Sequence, residues 1–327
     1  PILLEKMTAE QELVRLEAIE LLVRHGDEAI RGLVIEHLRR EDNRDVVVAA
    51  VAALGEAGVQ EAAPALQKAL ELPDHFVRAA AVMALARLGG EGAAKLLPKR
   101  LEDPHPRVRA QAVAALYRVG RSEFQKHLVK MLKEGDEEAR VEAARAMGEI
   151  PESVGALLNC LEADPSIDVR IAAIASLGRI RDAQAVRPLV ARLSDLLLRF
   201  SCIEALGELG APEAIPALLD LLANETSSLF RRSSIQALAK LGESSVAETI
   251  RRYIDVPTLA PAVLEALCEL GGPAAEDTLL ALAKPDHPLC LEAVRGLSRV
   301  GTGRAVEPLL ALLPGAPEYL ARAVSSA

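Results

Sequence analysis

The chain contains no tryptophan, and only 2 % of its 327 residues are aromatic, although half are hydrophobic. A core built on stacked rings is therefore excluded, and the apolar surface has to be packed with Ala, Leu, Val and Ile. No apolar run approaches the roughly 18 residues that a membrane helix needs, so membrane insertion within this chain is not expected. A secretory leader pattern is missing at the first residues, and the chain opens on Pro1 rather than Met, which suggests an excerpt of a longer protein. Four cysteines, Cys160, Cys202, Cys268 and Cys290, make no CxxC pair, and a chain of this length needs no disulfide. A reducing, cytoplasmic compartment follows as the expectation. GxGxxG, GxxxxGK(S/T) and GxSxG are all absent, which removes the usual sequence marks of nucleotide and hydrolase chemistry. A net charge of -9 argues against general affinity for nucleic acid, because such binding depends on neutralising phosphates.

What is present is a repeat. VRAAAVMALARLG from Val77 to Gly89 recurs as VRAQAVAALYRVG from Val108 to Gly120 and as VVVAAVAALGEAG from Val46 to Gly58. Length alone would suggest two globular domains, but a period near 31 residues points instead to one elongated array. With Arg78 as position zero, the column at plus seven reads Leu22, Leu54, Leu85, Leu116, Met147, Leu177, Leu206, Leu238, Leu267 and Leu297. The column at plus three is mostly small, from Ala18 and Ala50 to Cys202, Ser234 and Ala293, and the column at plus four is apolar throughout. Positions minus one, three, four, seven and ten share one helical face, so each repeat opens with an amphipathic helix.

At plus eleven, eight of ten repeats carry Gly, the residue that ends a helix in the left-handed conformation without steric cost. Pro151 and Arg181 are the exceptions, and nothing in the sequence accounts for Arg181. A second periodic segment follows each stop, as in Ala62, Leu66 and Leu70. Its prolines, Pro64, Pro188, Pro216 and Pro308, fall near the start, where a missing N–H costs little. Loops such as Glu102-Asp103-Pro104-His105-Pro106 separate the repeats.

The sequence of Asp, then Val-Arg, then Ala-x-x-Ala-Leu and a closing Gly, as from Asp74 to Gly89, resembles the short HEAT-like repeats of the phycobiliprotein-lyase type. The resemblance runs from Glu12 to about Leu313 and implies an all-α, right-handed α-solenoid of about ten helix-turn-helix repeats. Boundaries fall roughly at 12–42, 43–74, 75–104, 105–136, 137–165, 166–195, 196–226, 227–256, 257–286 and 287–313, with a cap at 314–327. Such proteins are mostly scaffolds and adaptors, so the resemblance implies a noncatalytic protein-binding role. Two alternatives stay open: an interaction module of a larger enzyme or membrane transporter, and a bilin lyase or chaperone subunit.

Two polar rows repeat with the helices. The zero column holds Arg15, Arg78, Arg109, Arg140, Arg170, Arg199 and Arg231, most with an acid four or six residues upstream, such as Asp74, Asp103, Asp136, Asp164 and Asp195. An Arg fork can grip a carboxylate and loop carbonyls together, so this row is expected to clamp the loops rather than to bind an outside anion. It lapses at Val47, Ala260 and Cys290, which predicts looser repeats between Pro257 and Leu313. The second row lies on the second helices: Lys68, Lys99, Arg100, Lys126, Lys130, Arg187, Arg192 and Arg252. In solenoids of this kind those helices line the concave side, so the row is expected to be a basic stripe for an acidic or phosphorylated segment of another protein.

A third feature is the run of Ala49, Ala52, Ala80, Met83, Ala114, Ala172 and Ala175 on the outer side of the first helices, which could meet a partner or a second copy. The oligomeric state stays open. His75, His105 and His287 occupy equivalent loops one or more repeats apart, too far to share a metal ion, so no metal and no cofactor are expected. Deoxyhypusine hydroxylases, which share the repeat type, use His-Glu pairs to hold iron, and the chain has no His-Glu dipeptide. The alkylpurine glycosylases of similar architecture rely on aromatic residues and a basic groove, which suits this composition poorly.

Overall fold

The computed structural model describes residues 2–9, 11–38, 40–314 and 317–326, and these are helices joined by short loops, with no strand among them. Gly315, Ala316 and Ala327 of the expected cap, like Pro1, lie outside the described residues. Two compact segments divide the chain, Pro1–Ser176 and Leu177–Ala327. In each, helix pairs stack in chain order, the arrangement of an α-solenoid.

Ten first helices run over Glu12–His25, Arg44–Glu56, His75–Leu88, Pro106–Arg118, Glu137–Met147, Ile167–Ile180, Arg199–Leu209, Ser228–Lys240, Ala260–Leu270 and Cys290–Val300. All thirty residues in the columns at plus three, four and seven are at most 5 % exposed, so the apolar period alone fixes the buried face. Capping by the residue before the helix sets several starts. The Asn43 side chain accepts from the Asp45 and Val46 amides, Asp74 accepts from Phe76 and Val77, and Asp136 from Ala139.

A further small column, at plus six, becomes visible only in the packing. Ala84 meets Gly55 of the preceding helix so closely that a Cβ on Gly55 would stand 2.5 Å from the Ala84 Cα. In the second segment Gly178 meets Ala205 and Gly207 meets Ala237 in the same way, each pairing plus eight of one first helix with plus six of the next. Consecutive first helices are thus held nearly backbone to backbone, which only small residues permit.

The stops resolve the two exceptions. Arg181 adopts φ 60°, the positive φ that Gly58, Gly89, Gly120, Gly210, Gly242 and Gly271 take at the same position of their repeats, and it is the one such non-glycine residue described. Pro151 opens a 3₁₀ turn instead. Gly26 and Gly301 depart from the expected conformation: both are extended. They are small for another reason, since a Cβ would lie 2.3 Å from the Leu22 carbonyl oxygen at Gly26 and 2.5 Å from that of Leu297 at Gly301.

Seven of the second helices begin with a three-residue 3₁₀ turn. The tighter turn brings a buried residue, Ala62, Ala185, Ala214, Val246 or Ala305, down against the core. A helix over Glu318–Ser326 packs on the last first helix and buries Leu320 and Val324. The repeats that lack the arginine have another tie. Buried Glu276 accepts from the Thr302 amide at 2.7 Å and from its hydroxyl at 2.8 Å, which joins the ninth and tenth repeats.

Candidate functional site

The loops before the first helices are where polar side chains converge. Arg78 grips Asp103 bidentately, Nε and Nη2 each donating at 2.9 Å, while its Nη1 donates to the Leu72 and Pro73 carbonyls. Arg140 repeats the arrangement on Asp164 and the Gly135 carbonyl. Arg199 reaches the same kinds of partner with other atoms, Nη1 donating to Glu225 while Nε and Nη2 donate to the Leu193 and Ser194 carbonyls, and Arg15 pairs with Glu41 while donating to the Ala9 carbonyl. The row is a clamp, but its acid comes from the loop that follows, not from the four-to-six residues upstream. Upstream Asp74 and Asp136 are occupied as helix caps instead. Burial alone would raise the Asp103 carboxyl, yet hydrogen bonds from Arg78 and the His105 amide outweigh it and hold the group below its ordinary range.

The clamp alternates. Arg109 donates from Nη1 to the Asp103 and Pro104 carbonyls, and Arg170 from Nε to the Asp164 carbonyl. Asp103 and Asp164 therefore serve two arginines each, by carboxylate to the one before and by carbonyl to the one after. Neither Arg109 nor Arg170 has a carboxylate within ion-pair distance among the described residues. Arg231 donates to the Leu222 carbonyl and lies over the Tyr253 ring at 4.9 Å.

Arg109 lines a cleft of about 330 Å³ together with Leu101, His127, Lys130, Met131, Glu134, Gly135 and Ala139. On the same loops, His75 and His105 stack with ring centroids 3.5 Å apart and 7° between planes. Phe76 lies between the Arg44 and Arg107 guanidiniums, 5.0 and 4.7 Å from the ring centre. Repeat spacing along the chain hid this stack, because the two rings lean toward each other across one inter-repeat gap. His105 Nε2 stands 3.3 Å from Glu138, and burial followed by repulsion from His105 lowers the His75 pKa. His287 does not join them; it accepts from the Leu289 amide in its own loop.

A sequence model of the HEAT repeats matches residues 1–86, 33–116, 95–156 and 154–239. The chain belongs to the HEAT-repeat family. No curated protein matches it. Among solved structures, human deoxyhypusine hydroxylase in complex with glycerol is similar at 20 % identity, over 82 % of this chain and 94 % of that one, with a TM-score of 0.39. The complex of CpcE and CpcF of phycocyanin lyase from Nostoc sp. PCC7120 is similar at 21 %, over 82 % and 92 %, with a TM-score of 0.40. Importin beta is similar at 15 %, over 98 % and 61 %, with a TM-score of 0.47.

Within this HEAT-repeat chain, the expected basic stripe is only partly free. In the first segment Lys68, Lys99, Lys126 and Lys130 are exposed on successive second helices, as are Arg187 and Arg252 in the second segment. Arg192 is half-buried. Arg100 is half-buried and works within the fold, donating to the Leu70 carbonyl at 3.0 Å and to Glu71 at 2.6 Å. Lys130 has Glu134 at 3.7 Å on its own helix. The alanine-rich outer face is less open than its sequence suggested, with Ala114 and Ala172 buried and the other five residues half-buried. Among the described residues, no group of three or more His, Cys, Asp or Glu is placed to hold a metal ion. None of their helices is long and apolar enough to cross a membrane. Burial raises the thiols, Cys160 to about 11 and Cys202 to about 12, so neither is a ready nucleophile.

Proposed function

We propose that this chain is a noncatalytic protein-binding scaffold whose ten repeats present second helices to an acidic segment of another protein. The observation that carries the reading is the recurrence of Lys68, Lys99 and Lys130 as exposed cations at the same register of three successive second helices. A row of charges on rigid, evenly spaced helices attracts an extended acidic chain and loses little entropy on binding it. Arg187 and Arg252 would extend the same function in the second segment, and Lys126 lies beside the row.

The test is fluorescence anisotropy with a labelled twelve-residue Asp/Glu peptide, comparing the intact chain with a Lys68→Glu, Lys99→Glu, Lys130→Glu variant of equal helicity. Reversing three attracting charges is expected to weaken binding at least tenfold, roughly the effect of one strong charged contact. Equal affinity for both proteins would refute the proposal.

A further inference from the structure

We infer that the Arg109 cleft is a carboxylate-binding pocket that receives an Asp or Glu side chain of the partner. This inference rests on the protein-binding reading above and adds a specific anchor to it. The argument comes from the fold's own repetition. In Arg78 and Arg140, Nη1 is pinned by loop carbonyls of the preceding loop, and the edge formed by Nε and Nη2 grips an aspartate of the next loop. Arg109 is pinned the same way, by Asp103 and Pro104 through Nη1, but its Nε and Nη2 have no partner among the described residues. The guanidinium is thus held in place with the carboxylate-binding edge unused, and Arg109 is one of the residues that line the cleft.

The register shows why the chain leaves it empty. Glu41, Asp103, Asp164 and Glu225 each stand six residues before the zero position of the next repeat, and so does Glu134. Asp103, Asp164 and Glu225 are extended residues just past the end of a second helix. Glu134 is instead the last residue within its helix, which closes one residue later at extended Gly135. Gly135 permits this because a Cβ there would lie 2.5 Å from the Met131 carbonyl oxygen and 2.7 Å from the Ala139 Cβ. With that extra helical residue, Glu134 meets Lys130 on its own helix at 3.7 Å and makes no ion pair with Arg109 among the described residues. What remains is a fixed guanidinium edge, with Lys130 adding positive charge and Leu101, Met131 and Ala139 supplying an apolar wall for the methylenes of the incoming side chain.

The experiment uses the full chain and the acidic peptide named above, with the Nε–H resonance of Arg109 followed by NMR and assigned by its loss in Arg109→Lys. Adding peptide should shift that resonance. Arg109→Lys keeps the charge but loses the fork, and should weaken peptide binding about tenfold, as expected for a lost bidentate charged contact. Glu134→Gln removes the one carboxylate lining the cleft and should tighten binding, which keeps the inference testable if Arg109→Lys disturbs its loop. An unmoved Arg109 resonance, or Glu134→Gln binding no tighter than the parent, would overturn the pocket. So would equal dependence on Arg109 for a peptide whose anions are all phosphoserine. If the triple lysine reversal abolishes binding while these Arg109 signs are missing, the scaffold reading survives and the pocket fails; if the intact chain binds no acidic peptide, both fall.

Discussion

Replacing Asp103 by alanine should cost about 3 kcal/mol, mostly within the third repeat and at its junction with the fourth. The Arg78 and Asp103 side chains are 11 % and 3 % exposed, so the pair sits where solvent screens little. Removing one member of a buried ion pair costs about 3–5 kcal/mol, because the other charge stays buried without its counter-charge. The two carbonyl bonds that Arg78 keeps, to Leu72 and Pro73, place the effect at the lower end of that range. Asp103→Ala also removes the acceptor of the His105 amide but leaves the carbonyl that Arg109 uses. Urea unfolding followed by circular dichroism gives the total, and amide exchange across residues 75–136 gives its location, since an array transmits damage mainly to neighbouring repeats. The control is Glu149→Ala, which breaks a pair with Arg118 whose side chains are 42 % and 39 % exposed and should cost less than about 1 kcal/mol. Acid provides a second check. The Asp103 pKa is depressed in the fold, so its contribution is complete above the unfolded value near ~3.9 and is lost as pH falls through the lower folded value. The gap between parent and variant should therefore persist at mildly acidic pH and close only in strong acid. A loss for Asp103→Ala no larger than for Glu149→Ala would refute the clamp.

Glycine substitutions should divide by environment. Gly55→Ala forces a Cβ against Ala84 and should destabilise by about 1–3 kcal/mol, whereas Gly32→Ala meets open space within a helix and should stabilise by about 0.5–1 kcal/mol in the same urea assay. Arg181→Gly relieves a left-handed arginine and should raise stability by about 1 kcal/mol; a loss would mean that the side chain holds contacts worth more than the strain. His75→Gln should flatten the acid side of the stability profile. The folded His75 pKa lies below its ordinary value, so the parent is most stable above about pH 6.5 and weakens as pH falls through that value, and an unchanged slope in the variant would contradict this. Amide exchange should be faster over residues 257–313, where the arginine row lapses, than over 109–199, unless the Glu276–Thr302 tie compensates fully and protection is equal.

The helices were legible because a period of 3.6 residues within a period near 31 leaves little freedom: the columns at plus three, four and seven could lie nowhere but inside. The direction of the clamp was not. Asp103 lies six residues before Arg109 and twenty-five after Arg78, and sequence proximity favoured the wrong arginine. Reaching the right one requires knowing that the loop folds back beside the preceding loop. The plus-six column passed unnoticed because alanine is common throughout the chain, and only the approach of Gly55 to Ala84 or Gly207 to Ala237 reveals its purpose. The Arg109 cleft depends on a second helix ending one residue late, a shift smaller than the uncertainty of any boundary read from propensities.

The alternating clamp also bears on how such a chain can be lengthened or shortened. Paired arginines stand at Arg15, Arg78, Arg140 and Arg199, about 60 residues apart, so the pattern restores itself after two repeats and not after one. Each paired arginine and its acid belong to one repeat, so cutting out a single repeat breaks no pair but sets two repeats of the same kind side by side. Cutting out two keeps the alternation of carboxylate-paired and carbonyl-bound repeats. For gene duplication, and for anyone splicing these repeats into a new protein, the natural module is the doublet.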